Sequence, residues 1–457
     1  AEDWPEIVAL TEAGHDPDAN FVTLLGGEMQ LTLSDGTDLG HRNALFFGEP
    51  GELADLALDD LLQVNLRDSC EEMWEAVREM ETRVGPLLFV PHHPAASIPM
   101  ATRWWCQDDR LAPLVEVYSS HGNSRDTPDR DDFDPLHFPY VDGCTVNEAL
   151  ASAVHGLHLG MIGGTDFHDT WPGMVCHTDV THGDQAYGGS LTGVFLDGDR
   201  PLDRASLYDA MLHRHTFATT GPKVPVLFSL VDGSGNEVAV SGDVLAPPPA
   251  EAVYARVTFP VDLAPYVLDV ELYDSAQVPT SLPEQAPGVH ELELSWWQVP
   301  WFGYAIVHLD GDSWYADRGI VCEDGGDDGE ERIWTSPIWI EHLDAHDDDG
   351  DGYSELDGDC DDMLASVYPG ATELNNHVDD DCDGEIDEGF DPGDDDDETA
   401  DDDTTEAPQD DDDSSSGAID PPAKDCSCRL TGRRAAPALG LVLLGIVAGL
   451  RREWRRR

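Results

Sequence analysis

The distribution of acidic residues constrains this chain more than any other feature of its sequence. The 457 residues include 94 Asp and Glu but only 24 Lys and Arg, which gives a formal net charge of −70 at pH 7. The acidic residues concentrate after Glu323, and most of all between Asp344 and Asp413. Because nucleic acid is bound through a basic face, we expect no nucleic-acid partner. The residues up to about 340 have the composition of an ordinary globular chain that is rich in Trp, Leu, Val and Pro.

Residues 1–222 have the pattern of an α/β domain. Residues 4–14, 70–84 and 203–215 predict helices. Short apolar runs bounded by turn residues predict buried strands, and these runs are FVTLL, NALFF, PLLFVPHHP, LVEVYSS and LHLGMIGGTD. Strands that alternate with helices favour a parallel or mixed α/β layer.

The pattern changes over residues 223–343. Short alternating runs, such as YARVTFPV, VLDVELYD and GYAIVHLDG, are separated by Gly, Pro and Asp. This spacing predicts a β-rich extension that folds as a small antiparallel β-sandwich.

Residues 344–390 predict a compact acidic module that binds Ca²⁺. Two half-loops of the D-x-D-x-D-G type occur in it, and each is the first half of an EF-hand-like loop. Closely spaced carboxylates repel one another unless a cation neutralises them. The predicted calcium ligands are Asp347, Asp349, Asp351, Tyr353 through its backbone carbonyl, Asp379, Asp381, Asp383 and Asp387.

The second half of the loop pattern departs from an EF-hand. Position 12 of the first loop is Gly358 and not Glu, so Asp357 or Asp359 must complete the ligand shell. Cys360 and Cys382 lie at matching offsets in the two halves, which predicts a disulfide between them in an oxidising compartment. The segment resembles a metal-binding repeat of bacterial surface proteins. The alternative interpretation is a solvated acidic spacer.

The last two segments predict export. Residues 391–425 contain almost no large apolar side chains and predict a disordered acidic linker. Residues 426–457 contain a Cys pair, an apolar helix over Ala435–Leu450 and an Arg cluster, and they resemble a myxobacterial-type C-terminal sorting tail. That resemblance implies membrane association through the tail, removal of the helix by a sorting protease, and display at the cell surface or outer membrane. A single-span tail anchor is the alternative, and both interpretations place residues 1–425 outside the cytoplasm.

Residues with metal-binding side chains lie where the predicted strands of residues 1–222 begin or end. Any one of them is also explained as a packing residue or a helix cap, but together they predict a site for a divalent transition metal, namely Zn, Mn or Fe. The predicted ligands are Glu28, His41, His92, His93, Glu116, Asp166 and His168, with His121 nearby.

The order of these motifs resembles the polymerase and histidinol phosphatase (PHP) superfamily. The motifs are Gly-x-Glu, Gly-His-x-Asn, His-His-Pro, Glu-x-Tyr-Ser-x-His-Gly and Gly-Thr-Asp-x-His, and the β-rich extension ends in WTSPIWIE. The resemblance implies an α/β fold, a distorted (β/α)₇ barrel that lacks its first strands, with two or three metals at the strand ends. It also implies that Glu28 is a bridging carboxylate and that His41 and one of His92 and His93 are ligands, with His93 favoured because Pro94 follows it. Asp166 and His168 would be the last pair of ligands.

The same resemblance implies a reaction. A metal-activated water would attack a phosphoryl or carbonyl centre of a small-molecule substrate, and phosphoesters are the commonest substrates of the superfamily. His93 and His121 are the predicted catalytic residues, since either one would protonate the leaving group.

One departure leaves two interpretations open. The PHP barrel opens with a His-x-His motif upstream of the Gly-x-Glu, and the residues before Glu28 do not contain it. If the missing part precedes this sequence, the protein is a surface-displayed metal-dependent hydrolase of the phosphoesterase type. If the barrel is truly incomplete, the protein is a non-catalytic surface protein that serves in binding or adhesion.

Overall fold

A computed structural model describes two compact units, Ala1–Glu341 with Lys424–Arg457, and His342–Ala423. The residues that it describes are 4–17, 21–53, 56, 61, 63–97, 99–136, 138–152, 157–166, 189–196, 200–245, 249, 252–294, 301–318, 329–341, 351–360, 367–373, 380–382 and 446–451.

The helices are few and short. In the described part, the α-helices are α1 (Trp4–Gly14), α2 (Pro50–Leu53), α3 (Cys70–Val84), α4 (Val146–Leu150), α5 (Arg204–Leu212) and α6 (Gly311–Asp317). The predicted helices at 4–14, 70–84 and 203–215 are thus confirmed as α1, α3 and α5. Ser69 caps α3, since its side chain accepts a hydrogen bond from Glu72 N. Buried residues of α3 recur every three or four positions, so one face of the helix packs against the core.

Strands make up most of the remaining regular structure. They are β1 (Leu25–Thr32), β2 (Asp38–Phe46), β3 (Leu87–Pro91), β4 (Leu114–Ser119), β5 (Gly122–Asn123), β6 (Gly160–Gly163), β7 (Leu191–Leu196), β8 (Thr216–Thr219), β9 (Leu227–Asp232), β10 (Glu237–Val240), β11 (Val244–Leu245), β12 (Val253–Thr258), β13 (Val267–Asp274), β14 (Thr280–Ser281), β15 (Glu284–Ala286), β16 (Val289–Leu294), β17 (Trp301–Asp310), β18 (Glu330–Thr335), β19 (Ile338–Ile340) and β20 (Ile446–Arg451).

The first sheet is an antiparallel meander in the order β1-β2-β3. Because side chains alternate across a strand, the sheet has two different faces. Ala44, Phe46 and Phe89 point into an apolar core that also contains buried residues of α3. Leu45 and Val90 point the other way, into a second core shared with β4, β6 and β7. We call the face that contains Leu45 and Val90 the inner face.

A small second sheet has the order β5-β4-β6. Strands β4 and β6 are parallel, so the ends that follow Ser119 and Gly163 lie at the same edge. The hydroxyl of Thr192 on β7 accepts a hydrogen bond from Gly163 N at 3.1 Å and donates one to Gly163 O at 2.7 Å. These hydrogen bonds join the second sheet to the strands that follow it.

The two remaining sheets share one core. The five-stranded sheet has the order β10-β9-β12-β16-β15, and the nine-stranded sheet has the order β11-β19-β17-β18-β8-β7-β20 with β13 and β14 paired beside β17. Phe228 and Val257 from the former pack in one cluster with Val270, Val307 and Ile333 from the latter. Since β7 and β8 belong to the larger sheet, that sheet draws its strands from both sides of residue 223.

The predicted α/β fold, a (β/α)₇ barrel, is wrong. The described strands form open sheets, and most neighbouring strands are antiparallel. The physical reason is connection length. Parallel neighbours need a crossover of about a dozen residues or more, whereas β1 and β2 are joined by a turn in which Gly36 N bonds to Leu33 O. Four of the five apolar runs contain strands as expected, but FVTLL does not, since only its last residue, Leu25, belongs to β1. The partners and directions of the strands were not predicted correctly.

The described end of the predicted apolar tail helix is a strand. Residues 446–451 form β20, which pairs in parallel with β7, and the preceding part of Ala435–Leu450 lies outside the described residues. A short apolar run that contains Ile, Val and Gly suits a strand as well as a helix. No helix in the described ranges is both long enough and apolar enough to cross a membrane.

Candidate metal centres

Strand periodicity brings the first group of predicted ligands to one end of the inner face. Glu28 is opposite Asn43 in the β1–β2 register, and His41 lies two positions before Asn43 on β2. His92 follows β3 directly, and its backbone N–H donates to His41 O at 3.1 Å. All four side chains therefore belong to the inner face, while Arg42 between them points to the opposite side.

The second group of ligands comes from the neighbouring parallel pair. Glu116 lies on β4 two residues after Leu114, whose side chain packs in the same core as Leu45 and Val90 of the inner face. His121 follows β4, and Asp166 follows β6. The parallel arrangement of β4 and β6 places these last two residues at the same edge, beside the end of β3.

His93 is the centre of the cluster. His93 belongs to three sets of potential metal ligands. Within each set, the donor atoms lie within 4.8 Å of one another. The sets are Glu28–His41–His93, His92–His93–Glu116 and His93–His121–Asp166. Of the seven predicted metal ligands, six lie in this cluster together with His121. The seventh, His168, lies outside the described residues.

The donor atoms approach one another without forming the hydrogen bonds that their distances allow. His41 Nδ1 lies 2.6 Å from Glu28 Oε1, and His92 Nε2 lies 3.1 Å from Asp166 Oδ2. Neither nitrogen has a hydrogen-bond partner in the described part of the chain, and neither of the ring nitrogens of His93 has one. Buried polar atoms normally find partners. Atoms that crowd together but are not aligned with one another fit a set of ligands directed at a common ion.

Glu116 makes a different set of contacts. Its Oε2 lies 2.8 Å from His92 Nδ1, and its Oε1 accepts a hydrogen bond from His93 N at 3.2 Å. These contacts hold the His92 ring with Nε2 directed away from Glu116. A carboxylate in this arrangement commonly orients a metal-binding histidine.

The electrostatics of the cluster depend on the charge of His92: burial opposes its protonation, but Asp166 and Glu116 raise the pKa of His92 well above its usual value. Burial opposes the ionisation of Glu28, but the contact with His41 and the charge of His92 lower the pKa of Glu28 to about 2. Burial and the nearby His92 lower the pKa of His93 to about 3, so its imidazole is neutral and has a free lone pair. Although burial opposes it, the neighbouring histidines hold the pKa of Asp166 well below its usual range. Ionised carboxylates and a neutral imidazole are the protonation states that bind metals.

Two residues of the cluster have unusual backbone conformations. His93 has φ of 32° and Asp166 has φ of 52°, a region that residues other than glycine rarely adopt. His93 is followed by Pro94, which further restricts its backbone. Strain of this kind persists where the surrounding structure enforces it, and it concentrates at functional sites.

Three buried arginines near the motifs are engaged elsewhere. Arg42 Nη1 donates to Gln107 Oε1 at 2.8 Å, Arg103 Nε donates to Asp38 O at 3.3 Å, and Arg125 Nε donates to Asp131 Oδ2 at 2.6 Å. Each contact anchors a loop. These guanidinium groups therefore support the fold around the cluster.

Sequence analysis overlooked one polar residue of the inner face. Asn43 is 2% exposed, and its Oδ1 has no hydrogen-bond partner among the residues that the structure covers. The signal was the spacing in GHRNALFF, since the second residue after a histidine on a strand shares its face.

The acidic unit is described only in part. Cys360 and Cys382 form the predicted disulfide, with a Cα–Cα distance of 5.6 Å, and this prediction is confirmed. Asp351 Oδ1 accepts a hydrogen bond from Tyr353 N at 2.9 Å, which closes a turn at the first half-loop. Asp381 N donates to Glu373 Oε1 at 2.9 Å. The predicted ligands outside the described residues are Asp347, Asp349, Asp379, Asp383 and Asp387.

Two carboxylates of this unit are buried. Asp359, one of the two residues predicted to complete the first loop, is 5% exposed, and Asp380, which was not among the predicted ligands, is 0% exposed. Burial of an ionised carboxylate is unfavourable unless it is paired, hydrogen-bonded or bound to a metal. The described residues around Asp359 and Asp380 are therefore folded, and the interpretation as a solvated spacer does not fit them.

Residues 359–388 match a metal-binding family. The family model is named Cu-binding MopE and is described as a "Putative metal-binding motif". The matched segment contains both cysteines of the disulfide and the second half-loop. No PHP family model matches the chain. No curated protein and no solved structure is significantly similar to it.

Proposed function

We propose that the cluster around His93 is a divalent-metal centre and that it hydrolyses a small-molecule substrate of the phosphoester class. The observation that supports this proposal most directly is His93 itself. It is buried, burial and His92 lower its pKa to about 3, and it belongs to all three donor sets. Neither of its ring nitrogens has a hydrogen-bond partner in the described part, although Nδ1 lies 3.7 Å from Asp166 Oδ2. A packing histidine in the same place would have at least one hydrogen bond.

The donors suit a transition metal. Imidazole nitrogens and carboxylate oxygens are ligands of Zn²⁺, Mn²⁺ and Fe²⁺. In the proposed arrangement, Glu28, His41, His92, His93 and Asp166 hold the metal, and Glu116 orients His92. A divalent metal bound there supplies a water of lowered pKa for hydrolysis.

His121 is the proposed proton donor. Its Nε2 lies 2.9 Å from Asp166 Oδ2, and its ring packs 5.1 Å from the half-buried ring of Phe138. This places His121 between the ligands and an apolar wall that includes Met100 and Tyr140. A substrate that lies against the wall would bring its leaving oxygen to His121, where protonation assists departure.

The phosphoester class rests on the motif resemblance to the PHP superfamily. The fold is not the barrel that the resemblance implied, and so the hydrolytic activity depends on the cluster alone. The alternative is a non-catalytic surface protein for binding or adhesion.

The acidic unit is proposed to bind Ca²⁺ for a structural purpose. The donors predicted for it are carboxylate and carbonyl oxygens, which suit a hard cation. The name of the matched family refers to copper, but copper prefers nitrogen and sulfur donors, and both cysteines of the segment are in a disulfide. The disulfides Cys360–Cys382 and Cys70–Cys106 support display outside the cytoplasm, where such bonds persist.

Metal analysis of the full chain tests the main proposal. The chain is purified without chelator, dialysed against excess Ca²⁺ to occupy the acidic unit, and analysed for Zn, Mn and Fe. We expect at least one equivalent per chain and hydrolysis of p-nitrophenyl phosphate. His93→Ala and Asp166→Ala should remove most of the metal and the activity. The exposed His213 offers a matched control, and His213→Ala should leave both unchanged.

The possible outcomes separate the two functions. Metal without hydrolysis of any phosphoester would favour the binding protein over the enzyme. Less than a tenth of an equivalent of transition metal, unaffected by His93→Ala, would refute the metal centre itself.

A further inference from the structure

Asn43 is a buried polar residue of the inner face, and its Oδ1 has no hydrogen-bond partner in the described part of the chain. On β2, the inner face runs from His41 through Asn43 to Leu45. Leu45 is packed among apolar side chains, and His41 belongs to the cluster. Asn43 thus lies at the boundary where the inner face changes from apolar core to candidate ligands.

The register across the sheet gives Asn43 polar neighbours on one side. Its Cα partner on β1 is Glu28, and its Cα partner on β3 is Val90, two residues before His92. Directly opposite residues of antiparallel strands point to the same face and lie close together. The amide of Asn43 therefore shares its face with Glu28, His41 and His92.

Other buried asparagines in this chain show what a structural role looks like. Asn147 donates from Nδ2 to Asp126 Oδ2 at 2.8 Å and accepts at Oδ1 from Tyr304 Oη at 2.6 Å. Asn147 is 3% exposed, which is close to the 2% of Asn43. Yet Oδ1 of Asn43 has no partner in the described part of the chain. An amide buried without a partner destabilises a fold, so a structural role does not explain its presence.

We infer that Asn43 is a further donor to the metal centre, and that it contributes its side-chain oxygen. This inference rests on the proposed metal function. An amide oxygen is a hard donor, and adding one to histidines and carboxylates favours Mn²⁺ relative to metals that prefer softer ligands. Asn43 thereby influences which metal the centre selects.

The test compares Asn43→Leu with Asn43→Asp in the full chain. Leucine has a similar size but no donor atom, and aspartate retains the oxygen. Each protein is stripped of metal and returned to buffer with excess Ca²⁺. Its thermal midpoint is recorded, and it is then titrated with Zn²⁺ and with Mn²⁺ by calorimetry. Asn147→Leu is the matched control, because it removes a buried asparagine that is fully hydrogen-bonded.

We expect Asn43→Leu to weaken metal binding about 10- to 100-fold, the range typical of residues that support a metal site, with the larger loss for Mn²⁺. Its metal-free thermal midpoint should stay the same or rise, since an unpartnered amide has been removed. Asn43→Asp should bind both metals at least as tightly as the natural chain. Asn147→Leu should lower the thermal midpoint and leave metal affinity unchanged.

Three results would overturn the inference. If Asn43→Leu lowers the metal-free midpoint as Asn147→Leu does and keeps its metal affinity, the role of Asn43 is structural. If Asn43→Asp loses as much affinity as Asn43→Leu, the amide N–H and not the oxygen is the important group. If the natural chain binds neither Zn²⁺ nor Mn²⁺, the proposed metal function fails, and this inference fails with it.

Discussion

Asp166 Oδ2 lies 2.9 Å from His121 Nε2. The two residues follow β6 and β4, which are far apart in the chain but are parallel neighbours in one sheet. Equivalent ends of parallel strands meet at one edge, and the left-handed backbone of Asp166 turns its carboxylate into the cluster. The contact therefore depends on the pairing of two strands that a long stretch of chain separates.

Metal binding should raise the thermal stability of the unit that contains the cluster. A ligand that binds only the folded state at 100 times its Kd stabilises it by about 2.7 kcal/mol. Adding Zn²⁺ or Mn²⁺ to the metal-free chain in excess Ca²⁺ should therefore raise the midpoint of the tryptophan-fluorescence transition. His93→Ala should abolish this rise. An equal rise in His93→Ala would place the bound metal elsewhere.

The buried ion pairs of Asp131 should make the fold sensitive to acid. Asp131 accepts from Arg125 Nε at 2.6 Å and from Arg332 Nη1 at 2.7 Å. Burial opposes its ionisation, but these two arginines lower the pKa of Asp131 to about 2 from its ordinary value of 3.8. Because the folded-state pKa is the lower one, the stabilisation is complete above pH 3.8 and is lost as the pH falls through 2. Its size is about 2 kcal/mol.

Urea unfolding at several pH values measures this contribution through the variant Asp131→Asn. The difference in unfolding free energy between the natural chain and the variant should be constant above pH 5 or so and shrink by about 2 kcal/mol on acidification. At neutral pH, the variant should be about 3–5 kcal/mol less stable, because two arginines lose a buried partner. A difference that does not change with pH would show that the contacts do not depend on charge.

The disulfide between Cys70 and Cys106 should contribute substantially to stability. It joins the start of α3 to the turn at Trp104–Cys106 and closes a loop with a sequence separation of 36. A loop of this size corresponds to about 3–4 kcal/mol in the chain-entropy description. Cys70→Ala with Cys106→Ala should lower the unfolding free energy by that amount. Peptide mapping without reductant should recover the linked pair from the natural chain, and its absence there would contradict the structure.

Gly40 should be required for the position of His41. Its φ is 96°, and a Cβ there would lie 2.7 Å from Ala101 O and 2.8 Å from Met100 O. The latter carbonyl accepts the hydrogen bond from His41 N. Gly40→Ala should therefore displace His41 and weaken transition-metal binding, besides destabilising the fold by about 1 kcal/mol or more.

Gly36→Ala is the control for backbone strain alone. Its φ is 90°, but nothing lies within 4 Å of a Cβ at that position. This variant should lose stability and retain its metal affinity in the same calorimetric titration. If both glycine variants bind metal normally, the hydrogen bond of His41 N to Met100 O does not position the ligand.

Much of the candidate cluster was predictable because its signals are local. Each ligand lies at the end of an apolar run or on a strand beside Gly or Pro, and the type of side chain limits the chemistry. The strand face on which Asn43 lies could equally be predicted from the local sequence. The lack of a hydrogen-bond partner for its Oδ1 could not. Whether a buried amide is hydrogen-bonded depends on residues brought together from β1, β2 and β3.

The sequence by itself determined helices α1, α3 and α5, most of the strand-forming runs, the Cys360–Cys382 disulfide and the residue types available for metal binding. These follow from periodicity, spacing and donor chemistry within short segments. Only the tertiary structure decided which strands pair and in which direction, and it replaced a parallel barrel with open, largely antiparallel sheets. It also decided that His93 belongs to every donor set while Glu116 orients His92. The physical reason is that pairing depends on connections and packing between distant segments, which no short stretch of sequence contains.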